Sequence, residues 1–235
     1  DLTAFDQRAV IFERIGKAAH QAHGGCQGHE GERHPWSLAA EDHRIGPEIL
    51  KGVADQYRKL RNTFRYLLGA LDGFSEAERV EPADMPELER WVLHRLSELD
   101  AEVREGYAKY DFQGVFQKLF TFCTSDLSAV YFDIRKDSLY CDAPDSLRRK
   151  ACRSVLDILF HRLTTWLAPV LVFTMEEVWL ERFPGEESSV HLVDFPETPK
   201  AWLDPALAAK WEKIRDVRRD LTGELEVLWT AKENG

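Results

Sequence analysis

Residues 44–71 read RIGPEILKGVADQYRKLRNTFRYLLGAL, and this stretch decides the fold of the chain. Val53, Tyr57, Leu60, Phe64, Leu67, Leu68 and Leu71 recur at steps of three and four, which is one face of a helix. Pro47 and Glu48 lead into it, where a missing amide proton is harmless and a carboxylate meets the positive end of the helix dipole. Between 51 and 65, Lys51, Arg58, Lys59, Arg61 and Arg65 face a single carboxylate, Asp55. Five cations less one carboxylate give the window +4 in a chain of net charge −10. Arg58, Arg61 and Arg65 fall on a different face from the apolar set. One side of the helix therefore packs while another offers guanidinium forks, whose geometry suits phosphate oxygens. A solvated face paired with acidic neighbours fits the same spacing, and periodicity does not separate the two readings.

Outward from this helix the chain continues in helical pattern. Asp84-Met85-Pro86-Glu87 carries a capping-box signature, and the helix it opens, to about Lys109, places Leu88, Trp91, Val92, Leu96, Leu99 and Val103 on one face. Asp111 caps a third helix through Phe112, Val115, Phe116, Leu119, Phe120, Cys123, Leu127 and Val130. A fourth runs from about Asp145 to Trp166. Pro169 then breaks the pattern, which resumes from Val172 to Leu180. Ser188–Phe195 alternates weakly, as a short strand or an extended turn would. Asp204-Pro205 starts a last helix, with Leu207, Trp211, Ile214, Val217 and Leu221 directed inward. The predicted fold is all-α, a bundle of five to six helices with irregular ends.

The 235 residues are 44% hydrophobic, with seven Trp and thirteen Phe, enough for a substantial core. Global acidity argues against a general polyanion binder, so any nucleic-acid contact must be focal. No apolar run has the length of a membrane span, and no signal-peptide layout opens the chain. The first residue is Asp1, not Met, so a piece of something longer is expected. Cys26, Cys123, Cys141 and Cys152 are scattered as reduced thiols of a cytoplasmic protein would be.

His20, His23, Cys26 and His29 recur every three residues among glycines, a weak metal-like pattern. Zinc sites pair close ligands across two separated segments, whereas this is one continuous run, so no specific metal site is expected. Glu176-Glu177 and Glu186-Glu187 are adjacent, not convergent, and read as solvated surface. No Gly-rich phosphate loop, GxSxG or CxxC pair occurs.

Four blocks in order carry a resemblance. They are the opening stretch at 44–71, YDFQGVFQKLFTFCTSDLSAVYFDIRKDSLY at 110–140, DSLRRKACRSVL at 145–156 and WLAPVLVFTMEEVW at 166–179. Together they resemble the helical anticodon-binding region of class I aminoacyl-tRNA synthetases, isoleucyl-tRNA synthetases in particular, over about His43 to Glu224. The resemblance implies residues 43–224 as the helical domain, with 1–42 and 225–235 outside it. Both ends depart from the pattern together, as in a truncated or rearranged copy. It also implies isoleucine-specific tRNA as partner, with the catalytic part of a parent synthetase as a second. The ATP and magnesium chemistry of such an enzyme uses HIGH-like and KMSKS-like motifs that this chain lacks, so no catalytic residue and no cofactor are expected here.

The resemblance makes Lys51, Arg58, Lys59, Arg61 and Arg65 tRNA-binding candidates, while Asn62 and Arg65 serve equally as fasteners to the next helix. It adds Arg135 and Lys136, for which a salt bridge with Asp133 or Asp137 is an equal reading. Arg148 and Arg149 complete the set. With Lys150 and Arg153 they crowd cations at a helix start, the less favourable end for positive charge, which calls for an anionic partner or nearby carboxylates. The rivals are a stand-alone or degenerate paralogue without aminoacylation activity and a helical protein-interaction module.

Overall fold

The computed structural model describes residues 46–233. Their helices are α1 (Pro47–Ala70), α2 (Glu87–Ala108), α3 (Phe112–Thr121), α4 (Asp133–Cys141), α5 (Leu147–Leu167), α6 (Val172–Arg182) and α7 (Pro205–Glu233), with long connections carrying 3-10 turns before α2 and before α7. An 11-residue stretch of π-helix, Phe122–Phe132, runs without interruption from α3 into α4. The protein is all-α, and no strand occurs among the described residues. None of the described helices is long and apolar enough to cross a membrane.

The bundle is built around α5. Cys152, Val155, Leu156, Leu159, Phe160, Leu163, Trp166 and Leu167 form an apolar stripe inaccessible to solvent, and Ser154, Asp157, Thr164 and Thr165 are buried on the remaining faces of the helix. It packs against α1, α2, α4 and α6. Arg153 at one end of α5 donates to the carbonyl of Asp72, just past α1, at 2.8 Å. Near the other end, Tyr57 and Thr174 share a hydroxyl hydrogen bond of 2.9 Å between α1 and α6. The two anchors make α1 and α5 antiparallel neighbours.

Local signals explain most boundaries. Asp111 caps α3, its Oδ1 accepting from the Gly114 amide at 2.9 Å. Asp204 caps α7 by accepting from the Leu207 amide at 3.0 Å. The hairpin between α2 and α3 is tight. A Cβ at Gly106 would lie 2.4 Å from a Val115 methyl, so only glycine admits this approach. The π-type winding explains why buried residues between 122 and 132 come in clusters four apart: Phe122 and Cys123, Asp126 and Leu127, then Val130, Tyr131 and Phe132. Ser128 supports the wide turn by donating to the Cys123 carbonyl at 2.8 Å.

Several expectations are corrected. Asp84 is no cap for α2. It ends a 3-10 turn, Pro82–Asp84, and the N-cap position is Pro86, with no side-chain hydrogen bond. Ser188–Phe195 is not a strand but contains a 3-10 turn, Val190–Leu192. Glu176 is not solvated surface, because its Oε2 accepts from Ser189 Oγ and the Val190 amide, both at 3.0 Å, pinning that turn to α6. Val53 is exposed, since α1 projects past the core at its first turns. On α7, Leu207 is buried but Ile214, Val217 and Leu221 are exposed, because the face turned to the bundle is that of Leu207, Trp211, Arg215 and Arg218. The Gly- and His-rich segment and the cysteine at 26 lie outside the described residues, as do His20, His23 and His29.

Candidate nucleic-acid interface

The apolar face of α1 buries Leu60, Phe64, Leu67 and Leu71, with Thr63 donating to the Lys59 carbonyl at 3.3 Å. Burial of that face turns Lys51, Arg58, Lys59 and Arg65 to solvent. Lys51, Lys59 and Arg65 have no ion-pair partner among the described residues. Arg58 pairs with Asp55 one turn earlier, an exposed contact of small worth. Arg61 is half-buried, its guanidinium carbon 5.9 Å from the centre of the Tyr57 ring. Asn62 is exposed and Arg65 with it, so neither fastens α1 to a neighbouring helix.

Arg135 and Lys136 part company. Both carboxylate oxygens of Glu89 accept from Arg135, at 2.6 and 2.7 Å, and Glu89 is wholly buried. Burial opposes the charge on Arg135, but the hydrogen bond and charge of Glu89 outweigh it and raise the guanidinium pKa. Of the two readings open for Arg135, geometry favours the ion pair, since its Nε–Nη2 edge is taken by a buried carboxylate, but the partner is Glu89 and not the expected Asp133 or Asp137. Lys136 is exposed and pairs with Asp133 at 2.9 Å.

At the start of α5, Arg148 forks onto Asp142 at 2.7 and 2.6 Å, and this bond holds the Asp142 carboxyl below its usual range. Arg149 donates to the Asp142 carbonyl at 3.1 Å. Asp142 is thus the compensating carboxylate that crowded cations at a helix start require. Lys150 has no ion-pair partner among the described residues. The Asp72–Arg153 anchor sets the last turns of α1 beside the first turns of α5, so of the α1 cations Arg65, two turns before Asp72, comes nearest the α5 cluster, while Lys51, Arg58 and Lys59 lie toward the Tyr57–Thr174 end. Tyr140, three-quarters exposed, stands two residues before Asp142 in the same region. With Phe173 and Tyr110 it is one of the exposed aromatics that sequence reading missed, since an exposed ring has no periodic signature.

Asp126 was also missed. It is buried, accepts from Arg215 at 2.6 Å and lies 3.3 Å from Arg95, tying α7 and α2 to the π segment. Among the described residues, no group of three or more His, Cys, Asp or Glu could hold a metal ion.

Residues 89–230 match the family model for the anticodon-binding domain of tRNA ligase, 142 of the 235 residues. The chain belongs to that family. Its anticodon-binding domain is 72% identical over 165 residues to an isoleucine–tRNA ligase of Ruegeria pomeroyi, covering 70% of this chain and 17% of that protein. The isoleucine–tRNA ligase of Agrobacterium fabrum is 57% identical over 195 residues, 83% of this chain and 20% of that protein. That of Caulobacter vibrioides is 56% identical over 196 residues, again 83% and 20%. The chain thus spans about a fifth of the length of the relatives it matches. An alignment of 195 residues leaves only 40 of the 235 unmatched, so it must include α1, which precedes the family match.

Proposed function

We propose that this chain is the tRNA-gripping domain of an isoleucine–tRNA ligase and that its partner is isoleucine-specific tRNA in the cytoplasm. The observation that carries this is the 57% identity to an isoleucine–tRNA ligase across a stretch that includes the basic face of α1. Lys51, Arg58, Lys59, Arg61 and Arg65 on α1, with Arg148 and Arg149 on α5 and Lys136 on α4, are the proposed phosphate contacts. They position the backbone of the anticodon arm and carry no sequence information themselves, since unstacked bases are read by stacking and edge hydrogen bonds. In such a ligase, ATP and magnesium serve the attachment of isoleucine in the catalytic part. The residues of this chain hold the RNA while that part acts.

A filter-binding titration of the full chain with isoleucine tRNA and a non-cognate tRNA, at several salt concentrations, tests the reading. Binding that weakens steeply with salt and favours the isoleucine tRNA is expected. Equal binding of an acidic protein competitor, or no binding of RNA at low salt, would replace it with the protein-interaction module.

A further inference from the structure

α7 is bound to the bundle along one face. Leu207 is buried, and Trp211 stacks on Trp91 with ring centres 5.5 Å apart. Arg215 pairs with the buried Asp126 at 2.6 Å, and Arg218 donates to Asp133 and, at 3.4 Å, to the Ala129 carbonyl. These four residues recur at steps of three and four, so they fix how the helix is turned. On the neighbouring face stand Ile214, Val217, Leu221 and Leu225, each between 41 and 60% exposed. They too are spaced by three and four, and at about 1.5 Å per residue they make an apolar stripe about 16 Å long. The stripe cannot roll inward, because that would strip Arg215 from a buried carboxylate.

An exposed apolar stripe rimmed by charge marks a surface that associates, and here the rim says with what. Lys213 lies at the first end of the stripe and Asp220 and Glu224 toward the other, all on one flank by helical spacing. All three are exposed, with no ion-pair partner among the described residues. When two copies of α7 lie side by side and antiparallel, Ile214 faces Leu225, Val217 faces Leu221 and Lys213 faces Glu224. Two-fold symmetry makes each of these contacts occur twice. A parallel pairing would instead set Lys213 of one copy beside Arg218 of the other, like charge against like. A flank that carries one sign at each end is complementary to itself reversed, whereas a uniformly acidic or basic partner would match only half of it.

We propose that the stripe of Ile214, Val217, Leu221 and Leu225 is a self-association surface that takes a second copy of this chain in antiparallel orientation, with Lys213 of each copy against Glu224 of the other. A helix contact of this length lies at the low end of specific interfaces, below about 1,200 Å² in total, so the dimer is weak and forms as concentration rises. It needs no RNA, and it stands whether or not the chain binds tRNA.

Sedimentation equilibrium of the full chain over a wide concentration range tests this. The weight-average mass is expected to rise from that of one 27.1 kDa chain toward twice that value. Leu221→Lys, which sets a charge in the stripe, is expected to hold the protein monomeric with an unchanged melting curve. Phe173→Ser removes an exposed ring from α6 and should leave association as in the wild type. Lys213→Glu and Glu224→Lys should each weaken the dimer by about tenfold, since each brings like charges together twice, and the two changes combined should restore it. A chain that stays monomeric throughout overturns the proposal and leaves the stripe to a different protein. Association that survives Leu221→Lys, or that yields to Phe173→Ser, places the contact elsewhere and overturns it as well. A double charge reversal that fails to rescue the single ones overturns the antiparallel second copy.

Discussion

Arg135 closes the Nε–Nη2 edge of its guanidinium on both oxygens of Glu89, a carboxylate with no solvent-accessible surface, and Tyr131 lends the same carboxylate its hydroxyl at 3.3 Å. The pair joins α4 to the first turn of α2. Removing one member leaves a buried charge unanswered, which is far costlier than never having buried the pair. Arg135→Met is therefore expected to destabilise the bundle by about 3–5 kcal/mol, read as a lower urea midpoint. Adding Glu89→Leu should recover much of that loss. Neither change should alter the salt slope of RNA binding, which separates this arginine from the exposed ones.

Arg65 and Leu60 sit five residues apart on α1 and should behave as opposites. Leu60 is 1% exposed, and Leu60→Ala is expected to cost about 2–5 kcal/mol through the cavity it leaves. Arg65 is exposed, so Arg65→Ala should leave the melting curve within about 0.5 kcal/mol of wild type. The same change should lower the salt slope of tRNA binding by about one, from a wild-type value of about −6 to −7 if all eight proposed contacts form. An unfolded Arg65→Ala protein, or one with an unchanged slope, would remove this arginine from the RNA face.

His161 lies among the rings of Phe160, Trp179 and Phe183, and burial there lowers its pKa below the ordinary value near 6.5. Asp157, 3.6 Å away, pulls the other way, while Arg182, Arg79 and Arg162 reinforce the lowering. Between the folded and unfolded values the unfolded chain binds more protons, so stability rises with pH in that window. The destabilisation begins as pH falls through about 6.5 and is complete below the folded value. His161→Gln should flatten the stability profile between about pH 7 and 5, measured by urea titration at each pH, with the carboxylate-linked loss at lower pH retained.

Gly106 tests the close approach of α2 and α3. An added methyl would meet Val115 at 2.4 Å, and the helices can relieve this only by parting. Gly106→Ala should thus destabilise by about 1–3 kcal/mol, despite alanine's better helix propensity. Pairing it with Val115→Ala, which clears the space, should return part of the loss in thermal melts.

The sequence alone determined the all-α class, the order of the helices it found, the caps at Asp111 and Asp204, the break after Leu167 and the buried face of α1, because each rests on contacts within one or two turns. Family membership was legible for a similar reason, in four ordered blocks whose spacing survives without coordinates. Tertiary structure decided which cations remain available. Arg135 and Arg65 look alike in sequence, yet one faces a buried glutamate 46 residues away and the other faces water. Only packing could separate them, since desolvation and pairing depend on neighbours that the chain brings in from afar. The same holds for Ile214, Val217 and Leu221, whose helical spacing promised burial, whereas α7 turns Arg215 and Arg218 to the bundle through Asp126 and Asp133. It holds too for the end where α1 meets α5: a hydrogen bond from Arg153 to the carbonyl of Asp72 marks an antiparallel packing that no local pattern announces.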